Sequence, residues 1–398
     1  MKILVINAGS STLKSSLYDF PDQRLLWEST VDWMRSQIVV KSFNGAISKE
    51  IVSSSTQLET LSHLLSTIWQ GDTAVIEDIK EIEAIGHRVV HGGQKYSQPT
   101  RITQQVKDEI AKLSFLAPIH NPANLNGIEI AQKIFGEKVP QYAVFDTAFH
   151  SSLPDESSIY PGPYAWQERG IRRYGFHGIS HQYCAHRTAQ ILNKNLDSLR
   201  LIICHLGNGC SLSAVRNALS IDTTMGFTPL DGLMMGTRCG SVDPGILLYL
   251  LQQENYTCEQ LDQELNYQSG LKGISGISSD LREILSEIQK GNSRAKLALD
   301  IYIHRLRSSI GAMLASLGGL DALVFTAGVG ENSPLVRSLA CDGFEFLGLE
   351  IDRQLNENKP FDQDISDINS KIRVLVIHTQ EDLAIAKSCY DLQSENLT

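Results

Sequence analysis

Met1-Lys-Ile-Leu-Val-Ile-Asn-Ala-Gly-Ser-Ser-Thr-Leu-Lys-Ser-Ser-Leu-Tyr18 opens the chain. Ile3 to Ile6 is a short apolar run rich in β-branched residues, the signature of a buried strand. The run breaks at Asn7-Ala-Gly-Ser-Ser-Thr12 and resumes over Leu13 to Tyr18, which makes a hairpin with a turn of small hydroxyl residues and one glycine. Such a turn can aim backbone N–H groups and hydroxyls at one spot, which suits a phosphate. An ordinary surface hairpin would have the same look. It is not a P-loop, because no G-x-x-x-x-G-K-[ST] occurs and a strand follows instead of a helix.

The same plan recurs. Leu201-Ile-Ile-Cys-His-Leu-Gly-Asn-Gly-Cys-Ser-Leu-Ser-Ala-Val215 is again an apolar strand, a glycine turn carrying a side-chain amide, and a second strand. Ala322-Leu-Val-Phe-Thr-Ala-Gly-Val-Gly-Glu-Asn-Ser333 is a third strand running into glycines, with Ser333-Pro334 as the cap and first turn of a helix over Pro334 to Leu339. Two strand–turn–strand units about two hundred residues apart indicate a duplication, one half in each domain. A nucleotide held between two related halves would then meet phosphate turns from both.

Composition narrows the class. The chain has 398 residues, 42% hydrophobic and 20% charged, which fits a soluble two-domain protein. No apolar run approaches the ~18 residues of a membrane span, and the apolar start leads straight into the glycine turn, unlike a secretory signal. Seven cysteines without C-x-x-C pairing predict reduced thiols, no zinc and a cytoplasmic location. A formal charge of −10 argues against a nucleic-acid partner. It also singles out arginines beside glycine-rich motifs, since an acidic protein with an anionic substrate must concentrate its cations locally.

Strand and helix signals alternate, which predicts α/β architecture. Strands are expected at Glu83–Val90, Gln141–Phe145 and Arg373–Ile377. Helices are expected at Gln104–Leu116, Ser180–Asn193, Pro244–Gln253, Ser279–Lys290, Arg294–Leu317 and Glu381–Leu392, with 359–371 as loop. The proline- and serine-rich stretch 151–170 marks a domain boundary.

Several constellations can carry chemistry. Gly86-His-Arg-Val-Val-His-Gly-Gly93 sets Arg88 beside a double glycine, either a solvated strand end or an arginine fork for a carboxylate or phosphate. Ala117-Pro-Ile-His-Asn-Pro-Ala-Asn124 holds His120 between two prolines, and Phe145-Asp-Thr-Ala-Phe-His150 ends a strand with Asp146, where α/β proteins place functional groups. Arg172-Arg-Tyr-Gly-Phe-His-Gly-Ile-Ser-His181 offers His177, which could equally be a buried, bonded imidazole. The segment from Asp222 to Pro244 is too long for a simple connector. In it Arg238, flanked by Gly236 and Gly240, can approach a ligand unobstructed.

Taken together these motifs resemble the acetate kinases, within the acetate/propionate/butyrate kinase group of the actin and sugar-kinase ATPase superfamily. The resemblance spans the chain and runs in the family's order: N-A-G-S-S, G-H-R-V-V-H-G-G, P-I-H-N-P, F-D-T-A-F-H, Y-G-F-H-G-I-S-H, H-L-G-N-G, M-G-F-T-P-L, G-T-R, S-S-D-L-R, A-G-V-G-E-N and E-D-L-A-I-A. It implies two duplicated actin/ribonuclease-H-like domains, 1–149 with 383–398 and 150–382, with the nucleotide cleft between them and homodimerisation through the second. It implies ATP as substrate and Mg²⁺ (or Mn²⁺) held by Asn7 and Glu381. By the same resemblance Lys14, Ser10 and Thr12 face the ATP phosphates, and His205, Leu206, Gly207, Asn208 and Gly209, with Gly328, Val329, Gly330, Glu331 and Asn332, cradle the nucleotide. Asp280, Leu281 and Arg282 border the adenosine. Arg88 binds the substrate carboxylate, and Val90, Ile119, Phe176 and Pro229 form the acyl-methyl pocket. Asp146 is the catalytic aspartate, and His177, Arg238 and His120 complete the catalytic set. Three positions depart from the family pattern: Asp231 and Asp382 stand for glutamates, and Ser241 removes an acidic charge expected near the active-site arginine.

The implied reaction joins ATP and acetate to give ADP and acetyl phosphate. Acetate is already ionised at pH 7 and needs no general base, so Asp146 is read as an orienting group. A non-enzymatic ATP-driven clamp would have no use for the Arg88, His120, His177 and Arg238 set. A sugar kinase would need a base for a neutral hydroxyl.

Overall fold

The computed structural model describes every residue except 10–11, 34, 53–55, 119 and 396–398. Ser10 and Ile119, two of the expected site residues, therefore lie outside the described residues. The chain divides into two compact units, Met1–Ala148 with Gln380–Thr398, and Phe149–Thr379. The 151–170 stretch lies inside the second.

In the first unit the strands are β1 (Lys2–Ala8), β2 (Thr12–Asp19), β3 (Arg24–Asp32), β4 (Gln37–Ser42), β5 (Ile47–Ile51), β6 (Ile82–Val89), β7 (Thr100–Arg101) and β8 (Gln141–Phe145). They form one sheet in the order β5-β4-β3-β2-β1-β6-β8-β7. The opening hairpin is the β1–β2 antiparallel pair, and its register sets Asn7 opposite Lys14. β1, β6 and β8 run parallel. Ile3, Leu4, Val5 and Ile6 are each 0% exposed, because β1 is an inner strand with a helix on either face. The Asn121–Phe135 helix meets one face, where a Cβ on Gly127 would lie 2.9 Å from the Ala8 Cβ. Alternation along the strand turns Val5 and its register partner Gly86 to the other face. There the Glu381–Glu395 helix approaches so closely that a Cβ at Gly86 would fall 2.6 Å from Ile385.

The second unit repeats the plan with β9 (Arg200–Leu206), β10 (Cys210–Arg216), β11 (Leu219–Thr223), β12 (Ala322–Thr326), β13 (Gln363–Asp364) and β14 (Arg373–Val376), ordered β11-β10-β9-β12-β14-β13. In each unit three antiparallel strands continue into two parallel ones, β3-β2-β1-β6-β8 in the first and β11-β10-β9-β12-β14 in the second. The shared order is what the duplication predicts.

Three local readings need amending. The glycines after β12 do not form an open turn: Ala327–Asn332 is a short helix, entered through Ala327 at φ 65. The Pro244–Gln253 helix, whose sequence pattern suggested an inward apolar face, has none of its residues buried. Its apolar side chains Ile246, Leu248 and Tyr249 stay 50–55% exposed. Within 359–371, Gln363–Asp364 pairs with β14. Among the described residues no helix is long and apolar enough to cross a membrane.

Candidate active site

In the first unit the side chains expected to function, Asn7, Arg88 and Asp146, lie at the carboxyl ends of β1, β6 and β8, where parallel α/β sheets present ligand-binding groups. Arg88 near the end of β6 reaches Asp146 just past β8, with Nε 3.1 Å from Oδ1 and Nη2 bonded to Oδ2. Its Nη1 lies 3.5 Å from the Asn7 amide oxygen, and Glu381, the first residue of the last helix, is 3.8 Å from Nε. Asp382 accepts from Ser16 Oγ at 2.8 Å. Burial lowers the Arg88 pKa, but Asp146 and Glu381 outweigh it and leave the guanidinium more basic than usual. Burial raises Asp146 to about 6 against the pull of Arg88, with Glu381 adding to the rise. Burial likewise raises Asp382. Arg88 thus stands among three carboxylates, a region with more anionic than cationic groups.

Two asparagines that motif reading passed over support this cluster. Asn124 accepts from Val90 N–H at 3.0 Å and donates to Ala8 C=O at 2.7 Å, tying the β6 exit to the β1 exit. Asn121 accepts from His91 N–H and donates to His91 C=O. Both are essentially buried, and only a search for buried amides in P-I-H-N-P-A-N would have found them. Val90 is buried and His120 occupies the position just before the Asn121–Phe135 helix, without a side-chain capping bond. Lys14 is exposed on β2, and Thr12 C=O accepts from Gly9 N–H at 2.8 Å.

The second unit holds a cavity of roughly 740 Å³ lined by Gly207, Asn208, Ser279, Asp280, Leu281, Arg282, Leu285, Gly328, Val329, Asn332 and Ser333. Its volume is that of a small-ligand pocket. Eight of the expected nucleotide residues line it, and Ser279, Leu285 and Ser333 join them. Asp280 caps the Leu281–Gln289 helix and pairs with Arg282. His205, Leu206, Gly209, Gly330 and Glu331 are not among its lining residues.

Glu331 faces the backbone. Its Oε1 accepts from Ala327 N–H at 2.8 Å and Thr379 N–H at 3.2 Å, and its Oε2 meets His378 Nδ1 at 2.7 Å. Arg337, buried, donates to the carbonyls of Gly330 and Glu331. The short helix under the cavity is therefore held by both side chains. Burial raises Glu331, but His378 and the backbone donors outweigh it and leave it below the usual carboxylate value. The Glu331 hydrogen bond raises His378 above its ordinary 6.5. A raised histidine stabilises the fold fully below its unfolded value and loses that contribution as pH rises through its folded value. The lowered glutamate loses its share only as pH falls through its own depressed value. The Tm difference between wild type and His378→Ala should thus be largest at roughly pH 5–6 and shrink by about pH 8. Melting both proteins across that range checks it.

On the loop between β11 and the Pro244–Gln253 helix, Arg238 Nη1 donates to Pro229 C=O at 3.0 Å and contacts Met235 Sδ. No carboxylate offsets it among the described residues, and burial lowers its pKa. A Cβ placed on Gly209 would lie 3.4 Å from Arg238 Nη1 and 3.4 Å from His177 Nε2, so the two side chains converge on the β9–β10 turn. Phe176 is buried, and its carbonyl bonds His150. The Ser241 hydroxyl donates to Asp231, which pairs with Arg173 at 3.3 Å.

The sequence matches the Acetokinase family over residues 2–387. The chain belongs to that family. It is 58% identical to an acetate kinase from a Cyanothece species, across 100% of this chain and 99% of the relative, and 58% identical to one from Nostoc punctiforme over 98% and 99%. Among solved structures, an acetate kinase from Porphyromonas gingivalis superposes with a TM-score of 0.91 at 38% identity, covering 98% of this chain and 99% of that one. A propionate kinase from Francisella tularensis gives the same TM-score, identity and coverage.

Proposed function

We propose that this acetokinase transfers the terminal phosphoryl group of ATP to acetate, reversibly and by direct in-line displacement, giving acetyl phosphate and ADP. The observation that carries the reading is Arg238, a desolvated guanidinium beside His177 and the glycine turn with no carboxylate partner among the described residues. It is a cation placed to meet a ligand anion. Acetate as acceptor rests on the acetate kinase relatives at 58% identity.

The main barrier is electrostatic, because two anions must meet in line through a metaphosphate-like transition state. Arg88 takes the acid's carboxylate, and Asp146 fixes the plane of its guanidinium through both carboxylate oxygens. Acetate needs no deprotonation, so Asp146 orients. Arg238 and His177 donate to the phosphoryl oxygens as charge spreads over them. The nucleotide occupies the cavity beside Asn208 and Asp280. Among the described residues no three acidic, histidine or cysteine side chains form a metal cluster. That fits Mg²⁺, which binds through one or two protein oxygens, waters and substrate phosphates. The anion-rich region around Arg88 suits a cation, and Asn7 and Glu381 are the hard oxygen donors to hold it. When bound, it neutralises phosphate charge.

Rates of ADP release with acetate, propionate, butyrate and glucose test the reading. One methylene in an apolar pocket is worth only about 1–3 kcal/mol, or 10–200-fold, so propionate should be a slow but real substrate. The propionate kinase superposition makes propionate the alternative acceptor; a faster rate with propionate would select it, and glucose turnover would end both.

The enzyme works as a cytoplasmic homodimer, supported by seven cysteines present as thiols and by the exposed apolar Pro244–Gln253 helix. Leu248→Glu should shift the protein to monomer in sedimentation; an unchanged dimer would move the interface elsewhere.

A further inference from the structure

Two imidazoles share one hydroxyl beside the proposed phosphoryl site. Ser211 Oγ, on β10, lies 2.9 Å from His177 Nδ1 and 2.8 Å from His181 Nε2. Ser211 and His181 are each 0% exposed, and His181 Nδ1 is buried with no hydrogen-bond partner among the described residues. Burial, with His150 and His205 adding to it, holds His181 well below its ordinary pKa, so the ring is neutral.

A hydroxyl has one proton to give, which forces a direction on the chain of bonds. If Ser211 donated to His181, the His181 proton would sit on Nδ1 as a buried N–H without an acceptor. Unpaired buried donors are rarer in folded proteins than unpaired acceptors, and each costs about 1–3 kcal/mol. The opposite direction leaves Nδ1 as a bare lone pair, the milder default. His181 Nε2–H then donates to Ser211, and the Ser211 hydroxyl donates to His177 Nδ1. Neutral His177 must accordingly carry its proton on Nε2, the atom 3.4 Å from the Gly209 Cβ position that Arg238 Nη1 also approaches.

We propose that Ser211 and His181 are positioning residues that fix the tautomer of His177, so that its Nε2–H faces the transferred phosphoryl group as a donor. The backbone contributes too. His177 sits in the left-handed region at φ 58 as the residue preceding the Gly178–Leu192 helix, and its ring stacks on His205 at 4.1 Å. His205 Nδ1 is in turn 2.8 Å from Ser180 Oγ. Ring and tautomer are thus both set before any ligand arrives. The wrong tautomer would aim a lone pair at an anion.

This rests on the phosphotransferase reading, but its decisive measurement does not. Nitrogen-15 NMR of histidine-labelled, ligand-free full-length protein, with the ring of residue 177 assigned from His177→Gln, reads the tautomer directly. The expected result is Nε2–H for wild type and a mixture in Ser211→Ala. In the same variant kcat should fall about tenfold, less than the 10²–10³ for losing a preorganised donor outright, with the KM for ATP within twofold. Ser211→Thr, which keeps the hydroxyl, should restore the wild-type tautomer. A proton on Nδ1 in wild type overturns the proposal even if no variant folds. So does a folded Ser211→Ala with the wild-type tautomer and turnover. Failure to phosphorylate any carboxylic acid would overturn the function and leave the tautomer result standing.

Discussion

Replacing Arg238 with alanine is expected to lower kcat at least about a hundredfold while changing the KM for ATP by no more than about threefold. The reasoning is electrostatic. Arg238 is desolvated, has no carboxylate partner among the described residues, and is held by the Pro229 carbonyl and Met235. Its charge is therefore not spent on folding, and its loss should leave Tm nearly unchanged. An arginine aimed at the equatorial phosphoryl oxygens acts most strongly as charge spreads in the transition state, so the loss falls on kcat. Lysine at this position keeps the charge without the planar fork and should recover only part of the rate. Steady-state kinetics of the two variants settle it: near-normal turnover in Arg238→Ala would remove this residue from the mechanism.

Arg88→Ala should act differently, damaging both the fold and acid binding. Its removal leaves Asp146 buried beside Glu381 and Asp382 with no guanidinium between them. Breaking a buried pair from one side costs about 3–5 kcal/mol. Asp146, already raised to about 6, should move higher still. We expect kcat/KM for acetate to fall by about a thousandfold or more, with a loss of denaturant stability of that order. A double variant, Arg88→Ala with Asp146→Asn, should be less unstable than the two single losses added together, because the orphaned charge is gone. Additive stabilities would mean that the pair is not coupled as its geometry requires.

Much of this was readable from residues alone. Apolar runs ending in glycine turns located β1, β9 and β12, inner strands whose residues are nearly all buried, and the turns placed β2 and β10 behind them despite their serines. The β3–β5 meander was less legible because it alternates and its outer strands stay half wet, as the exposure of Ile47 and Ile51 reflects. Glycine-rich motifs located the cavity, yet Glu331 in the same motif turned inward to bind backbone N–H groups, a choice that depends on Thr379 and His378 far along the chain. Ser241 likewise pairs with Asp231, a partner the motif alone did not indicate. His181 closes the Y-G-F-H-G-I-S-H motif and Ser211 lies in the second strand repeat, yet neither stood out, because what marks them is a shared hydroxyl and an unmatched ring nitrogen, visible only in three dimensions.

The return of the C-terminal helix to the first sheet has a consequence for biosynthesis. Gly86 on β6 is shaped to receive Ile385 and Cys389, yet some three hundred residues must be translated between strand and helix. Until the last codons are read, one side of that sheet has no cover, while the second unit, continuous in sequence, can already fold on the ribosome. Premature termination just before Gln380 would leave the later-encoded unit whole and the earlier-encoded one unfinished, exposing apolar surface to chaperones and proteases.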